Sequence, residues 1–128
     1  IPTGPLAPTD LLIVPGAVDM ASLREPAEAV RAIAAETDVI ASVCTGAFVL
    51  GAAGLLPDRA TTHWEDLPEL QRRFGVEGVR ARWVDEGRII TGGALSCGID
   101  MALHLVERFV DRAAAEATAR QLDHTWRE

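Results

Sequence analysis

The fold of this chain is decided by residues 38–51, which read DVIASVCTGAFVLG. The β-branched and small apolar residues at 39–43 predict a strand that is buried on both faces. Cys44 follows at once, with Ser42 two positions before it and Gly46 two positions after it. This spacing is typical of a nucleophile elbow, where a tight turn from strand to helix leaves no room for larger side chains.

Cys44 has two interpretations. At the start of a helix, unpaired N–H groups and the helix dipole stabilise a thiolate, which is the nucleophilic form of cysteine. The N–H groups of Thr45 and of the Gly16-Ala17 turn would then be available to a developing oxyanion, and Thr45 adds a hydroxyl. The alternative is that Cys44 is a small buried hydrophobic residue. The strand–turn–helix pattern favours the reactive thiol.

Composition excludes several classes of function. The 128 residues are enough for a single domain, 1–128, with a core that needs no disulfide. A net charge of −7 argues against a nucleic-acid surface. All 12 basic residues are arginine, which excludes a Schiff-base lysine and a Walker A loop. With no apolar run of membrane-spanning length and no signal-peptide pattern, we expect a cytoplasmic protein without a membrane partner.

The first half of the chain alternates between strand and helix. The apolar run at 10–14 predicts a second buried strand, and Pro15-Gly16-Ala17 forms a turn at its carboxyl end. Ligands of open α/β sheets bind at that edge. Apolar residues at helical spacing predict a helix after Ser22, the expected N-cap. Strand, helix, strand, helix in this order indicates an α/β fold with a mainly parallel sheet.

The second half predicts a shorter strand, a hairpin and two further helices. We expect a strand at 59–63 and a helix at 64–74 that stops at Gly75. The segments 79–84 and 88–91 predict a hairpin. A long helix through Val110 and a last helix at about 112–122 end the chain. The long helix carries an apolar stripe that we expect to be buried: Ile99, Ala102, Leu103, Val106 and Phe109.

Five further residues could carry chemistry. His63 is either a general base for Cys44 or a cap at the end of a strand. Cys97 also begins a helix, but its glycine neighbours favour a structural role, and we expect no disulfide with Cys44. Asp100 suits the first turn of that helix and no more. His104 is expected to be packed or exposed, and His124 to lie in a frayed end. No spacing here predicts a metal site.

Several ordered motifs resemble the ThiJ/PfpI superfamily, and the likeness runs over nearly the whole chain. The matching stretches are LIVPG at 12–16, SVCTG at 42–46, GAAGLL at 51–56, RATTHW at 59–64, ITGG at 90–93 and GID at 98–100. The pattern is most similar to the isocyanide hydratase branch, and the amidotransferase-like domains of some transcription regulators share it. The resemblance implies a flavodoxin-like three-layer sandwich with helices on both faces of the sheet.

The resemblance also implies roles for residues. Cys44 would be the reactive cysteine and Thr45 its assisting neighbour, while Gly16, Ala17 and Gly46 would contribute to the oxyanion or binding site. Hydratases of this kind add water to an isocyanide to give an N-substituted formamide, with no cofactor. The family usually forms homodimers. The partner would be a small-molecule substrate or, in a ligand-binding or redox-sensing domain without turnover, an effector.

The chain departs from the family pattern at four points. The family carries a carboxylate near the end of its first strand, and this chain is expected to begin after that strand and its helix. Thr45 stands where the protease-like branch has His, and Ala17 replaces the second glycine of the usual Pro-Gly-Gly turn. His63-Trp64-Glu65 lies only 19 positions after Cys44, too early for a glutamine amidotransferase triad. Besides the hydratase and the ligand-binding or redox-sensing domain, a third hypothesis is that the cysteine serves packing alone.

Overall fold

A computed structural model describes residues 3–17, 19 and 22–128 of the chain. Strands and helices alternate, as the hydrophobic pattern predicts. The elements, in chain order, are β1 (Leu11–Val14), α1 (Arg24–Ala34), β2 (Val39–Val43), α2 (Gly46–Ala52), β3 (Arg59–Ala60), a 3-10 helix (Trp64–Asp66), α3 (Leu67–Phe74), β4 (Glu77–Gly78), β5 (Trp83–Asp85), β6 (Ile89–Gly92), α4 (Cys97–Phe109) and α5 (Arg112–Gln121).

The main sheet has four strands in the order β1-β2-β6-β5. The first three strands are parallel, with Val14 opposite Ser42 and Ser42 opposite Thr91. The fourth strand, β5, runs antiparallel to β6. Because parallel strands end at the same edge, the turns after β1, β2 and β6 meet there. Strands β3 and β4 form a separate parallel pair of two residues each.

Helices cover both faces of the main sheet. Ile40 and Ile89 point to the face where α1 and α2 pack, and Leu50 of α2 is fully buried in that cluster. Ala41 and Ile90 point to the opposite face, against α4. Consecutive strand residues therefore alternate between two cores, and burying each large side chain contributes about 1.5–3 kcal/mol. The prediction of a three-layer α/β fold is confirmed.

Three predicted boundaries were inaccurate. Helix α1 begins at Arg24, and its N-cap is the buried Leu23, with no side-chain cap from Ser22.

Strand β3 ends at Ala60, because Thr61 and Thr62 turn toward the main sheet and bond to it. The hairpin is shorter than 79–84, because the Val79 N–H donates to the Ala60 carbonyl and holds this segment beside β3. Gly75 ends α3 with a φ of 67°, as predicted.

The apolar stripe of the long helix is not buried as predicted. Ile99 is 43% exposed, Phe109 is 48% exposed and Ala102 is also exposed. Met101 packs on the sheet instead, which turns the stripe partly toward an open groove beside Ile13 of β1. The buried residues of α4 are Asp100, Met101, Leu103 and Leu105. No helix within the described residues is long and apolar enough to cross a membrane.

Candidate active site

Cys44 lies in the left-handed region of backbone conformation, with a φ of 54°. This conformation is unfavourable for a residue with a Cβ atom and persists only where neighbouring contacts impose it. Here the Cys44 N–H donates to the Gly92 and Gly93 carbonyls at 3.1 and 2.9 Å, which ties the turn to the end of β6. The thiol is free and half-buried. The backbone geometry is that of the elbow predicted from the sequence.

Thr45 clamps the turn after β1 against the elbow. Its Oγ1 donates to the Ala17 carbonyl at 2.9 Å and accepts from the Ala17 N–H at 3.0 Å. A Cβ atom on Gly16 would lie 2.8 Å from this hydroxyl, so the close approach requires glycine. The Thr45 hydroxyl accepts from the Ala17 N–H in the structure, and a role of that N–H in an oxyanion site stays a prediction.

Gly46 allows the start of α2 to contact the end of β1. A Cβ atom at this position would lie 2.3 Å from the Val14 carbonyl oxygen and 2.9 Å from that of Pro15. Within the described part of the chain, neither the Thr45 N–H nor the Gly46 N–H donates to a protein acceptor. These two N–H groups, adjacent to Cys44 in the chain, are therefore the donors available to a developing negative charge.

Thr62 is a residue of this site that sequence reasoning missed. Its hydroxyl donates to the Cys44 carbonyl at 2.8 Å, and the neighbouring Thr61 N–H donates to Thr91 Oγ1 at 2.9 Å. Both threonines are almost fully buried. Two consecutive threonines after a short strand were the only available signal, and that pattern does not reveal which carbonyl a hydroxyl will reach.

His63 acts as a cap in the structure. Its Nδ1 accepts from the Glu65 N–H at 3.3 Å and lies 3.9 Å from Asp66 Oδ2, at the start of the 3-10 helix. Its ring stacks on Trp64 with centroids 5.6 Å apart. Among the described residues no hydrogen bond joins His63 to Cys44, so the geometry supports the capping alternative over the general base.

Asp100 is the buried charge that sequence reasoning underestimated. It is fully buried and accepts from Arg82 at 2.5 Å, from the Arg127 N–H at 2.9 Å and lies 2.8 Å from His124 Nε2. Burial alone would raise the pKa of Asp100, but the bonds from Arg127, His124 and Arg82 outweigh it and lower the pKa below its ordinary value. His124 is therefore not frayed, because the chain after α5 folds back onto α4.

A second, more exposed carboxylate is paired with residues further along α4. Asp85 lies 2.8 Å from His104 Nε2 and forms an ion pair with Arg108. The His104 ring stacks on Trp83. Burial tends to raise the pKa of Asp85, whereas these partners and the Gly87 N–H lower it overall. His104 is thus packed as expected. In the part of the chain that is described, no three His, Cys, Asp or Glu side chains converge as metal ligands would.

Fold and site together define the class of protein, a mixed α/β domain with a cysteine at the turn between a central parallel strand and its helix. A model of the DJ-1/PfpI family matches residues 6–108, and the chain belongs to this family. The ThiJ/PfpI resemblance seen in the motifs is therefore confirmed.

The chain is similar to both enzymes and regulators. It is 40% identical over 119 residues to an isonitrile hydratase from Pseudomonas putida, covering 90% of this chain and 52% of that protein. It is 37% identical over 97 residues to the HTH-type transcriptional regulator GlxA from Rhizobium meliloti, covering 64% of this chain and 30% of the regulator.

Among solved structures, a THiJ/PfpI family protein from Pseudomonas syringae superposes with a TM-score of 0.85 at 30% identity. The match covers 96% of this chain and 52% of that one. The chain thus spans about half the length of this structure and of the isonitrile hydratase.

Proposed function

We propose that the protein is a hydratase of isonitriles and that Cys44 is its nucleophile. The observation that carries this proposal is the left-handed backbone of Cys44 at the end of β2, held by two hydrogen bonds from its own N–H. Such strain at a half-buried thiol is typical of catalytic positions, where surrounding contacts impose a costly conformation. The identity of 40% to an isonitrile hydratase supports the choice of substrate class.

The reaction can be written with the residues of the chain. The Cys44 thiolate adds to the terminal isonitrile carbon, and that carbon takes a proton from solvent to give a thioformimidate. Water then adds to the same carbon. One proton of that water moves to nitrogen and the other returns to solvent as the C–S bond breaks with its electron pair returning to sulfur, which releases the N-substituted formamide.

The elbow and the loops around it would position these steps. The N–H groups of Thr45 and Gly46 would stabilise negative charge that develops on the adduct. Thr45 acts through its clamp on Ala17, which fixes the turn after β1 beside the thiol. Thr62 would hold the Cys44 carbonyl, and thereby the backbone conformation of the nucleophile. We therefore regard Thr45 and Thr62 as positioning residues.

A second candidate function is favoured by the regulator relatives. In that case the domain binds an effector, or responds to oxidation through Cys44, without turnover. A half-exposed free thiol suits this role as well, because a reactive thiolate is also the form that peroxide oxidises. The similarity to GlxA at 37% identity is the observation behind this alternative.

Turnover decides between the two functions. Purified protein is mixed with several alkyl isonitriles, and formation of the N-alkyl formamide is followed by mass spectrometry. We expect the wild-type protein and Cys97→Ala to form product, and Cys44→Ala to form none. Absence of product with the wild-type protein on every isonitrile would overturn the hydratase proposal. Loss of product in Cys97→Ala alone would show that Cys97, and not Cys44, is the nucleophile.

Thiol reactivity separates both functions from a cysteine that serves packing alone. Peptide-resolved mass spectrometry measures the initial alkylation rates of Cys44 and Cys97 near pH 6.5 in the same protein. We expect Cys44 to react about tenfold faster than Cys97, because the alkylation rate of an activated thiol exceeds that of an ordinary thiol by at least this factor. Equal rates at the two positions would contradict an activated Cys44.

A further inference from the structure

A cavity of about 570 Å³ lies beside the first turn of α4 and borders the elbow, because Thr62 and Gly93, which bond to the Cys44 backbone, are among its lining residues. The segments after β3, before β5 and after β6 form its walls, and Cys97 contributes to its lining whereas Cys44 does not. This volume is in the range of sites for small organic ligands.

Arg80 brings an uncompensated positive charge to this cavity. Its guanidinium lies 5.4 Å from the centre of the Trp64 ring, a cation–π distance. Among the described residues no carboxylate lies within ion-pair distance of Arg80. Because stacking on an aromatic ring uses the face of the guanidinium, the N–H donors in its plane stay free for a carboxylate.

The other charged side chains that line the cavity are already paired. Arg82 is committed to Asp100, and Glu128 to Arg112. At the start of α4 the Cys97 N–H donates to the Ala94 carbonyl at 2.7 Å, so this N–H is not free for a ligand. Arg80 is therefore the group that would select the charge of a ligand.

Apolar side chains supply the remaining walls. Trp64, which is 51% exposed, Leu67 and Trp83 line the cavity together with Arg80. We propose that this cavity binds a small organic anion, a carboxylate with a flat apolar body, with Arg80 as its anchor. The proposal does not depend on Cys44 acting as a nucleophile: the cavity shares Thr62 with the Cys44 site, but its argument rests on Arg80 and the two tryptophans.

Protection of Cys97 from alkylation tests the proposal at the site itself. The probe is benzoate, and the neutral, equally shaped benzamide is the control ligand, each titrated to about 50 mM with salt held constant. We expect benzoate to slow alkylation of Cys97 in a saturable manner and to leave the rate at Cys44 unchanged. No saturable protection, equal protection by benzamide, or equal slowing at both cysteines would overturn the proposal.

A matched pair of arginine variants identifies the anchor. Arg80→Gln should weaken the protection by benzoate about tenfold, the size expected for loss of one charge-assisted hydrogen bond. Arg73→Gln is the control, because Arg73 also lies over aromatic rings, Phe48 and Phe74, at a different part of the surface. The control should bind benzoate like the wild-type protein. Equal binding by the two variants would contradict Arg80 as the anchor.

Discussion

Two turns at the same edge of the sheet lead from a strand into a helix, and each carries one of the two cysteines. Cys44 follows β2 directly and has a φ of 54°, whereas Cys97 begins α4 after an intervening loop, with Ser96 in ordinary helical conformation. The first turn is shaped by backbone atoms in close contact. The second is held by side chains around Asp100. Equivalent positions in the sheet therefore do not make the two thiols equivalent.

The difference explains where the sequence tolerates change. At the Cys44 turn, Gly16 and Gly46 face backbone or hydroxyl atoms at distances that exclude a Cβ atom. At the Cys97 turn, Gly98 faces a side chain instead, Val43 Cγ1 at 3.0 Å, although Gly93 at the start of this turn faces the Ala81 carbonyl oxygen at 2.9 Å. Backbone atoms cannot move aside without breaking β1–β2 pairing, whereas a side chain can shift by the few tenths of an ångström that a contact at 3.0 Å needs. The strained turn is thus fixed by steric exclusion.

Alanine at Gly46 should give the largest effect in this comparison. The new Cβ would lie 2.3 Å from the Val14 carbonyl oxygen, so we expect Gly46→Ala to lower the free energy of unfolding by roughly 4 kcal/mol or more. Gly98→Ala is the control, and its clash with Val43 is offset by better helix propensity, leaving a change below about 1 kcal/mol. Urea unfolding measures both variants. Similar losses in the two would show that both turns are equally constrained.

Removal of the buried charge should give the next largest effect. Asp100→Asn leaves Arg82 without its partner, so we expect a loss of roughly 3 kcal/mol at neutral pH. Asp123→Asn is the control in the terminal segment that contacts Asp100, at an exposed position that tolerates asparagine at its φ of 51°. It should change stability by less than about 0.5 kcal/mol.

The pH dependence of stability checks the same pairing. The pKa of Asp100 is lower in the folded protein than its ordinary value of 3.8, so the unfolded chain binds the proton first as the pH falls. The stabilisation is complete above pH 3.8 and is lost as the pH drops through the lower, folded value. We therefore expect the wild-type protein to lose its advantage over Asp100→Asn in that window. A constant difference between the two would contradict the linkage.

The sequence predicted the elbow well, because Ser42, Cys44 and Gly46 leave a pattern of small residues that few other structures need. It also predicted both faces of the sheet, since the strand residues are apolar throughout. It did not predict the contacts of Asp100 or Thr62, because their partners lie 18–27 and 18 residues away and depend on how loops fold back.

The predicted burial of the apolar stripe on α4 was wrong for a related reason. Helical periodicity identifies an apolar face, but the direction of that face depends on what packs against it. Here Met101 takes the position on the sheet, and Ile99 and Phe109 remain exposed. A single sequence does not reveal how the helix is rotated about its axis against the sheet, because Ile99 and Met101 are both apolar and only two positions apart.

The smallest predicted effect compares the hydroxyls of the two strands. Ser42 and Thr91 lie opposite each other in the sheet and are fully buried. Within the described residues Ser42 Oγ has no hydrogen-bond partner, whereas Thr91 Oγ1 accepts from the Thr61 N–H at 2.9 Å. Ser42→Ala removes an unpaired buried group, so its stability should stay equal or rise by up to about 1 kcal/mol.

Thr91→Val leaves the buried Thr61 N–H without an acceptor and should lower the free energy of unfolding by about 1–3 kcal/mol. Urea unfolding of both variants, read at the same pH, measures the contrast. A loss above about 1 kcal/mol in Ser42→Ala would mean that this hydroxyl is bonded in solution. Strand β2, which leads into Cys44, would then be held by polar contacts like its neighbour β6. Steric exclusion alone would not account for the strained turn.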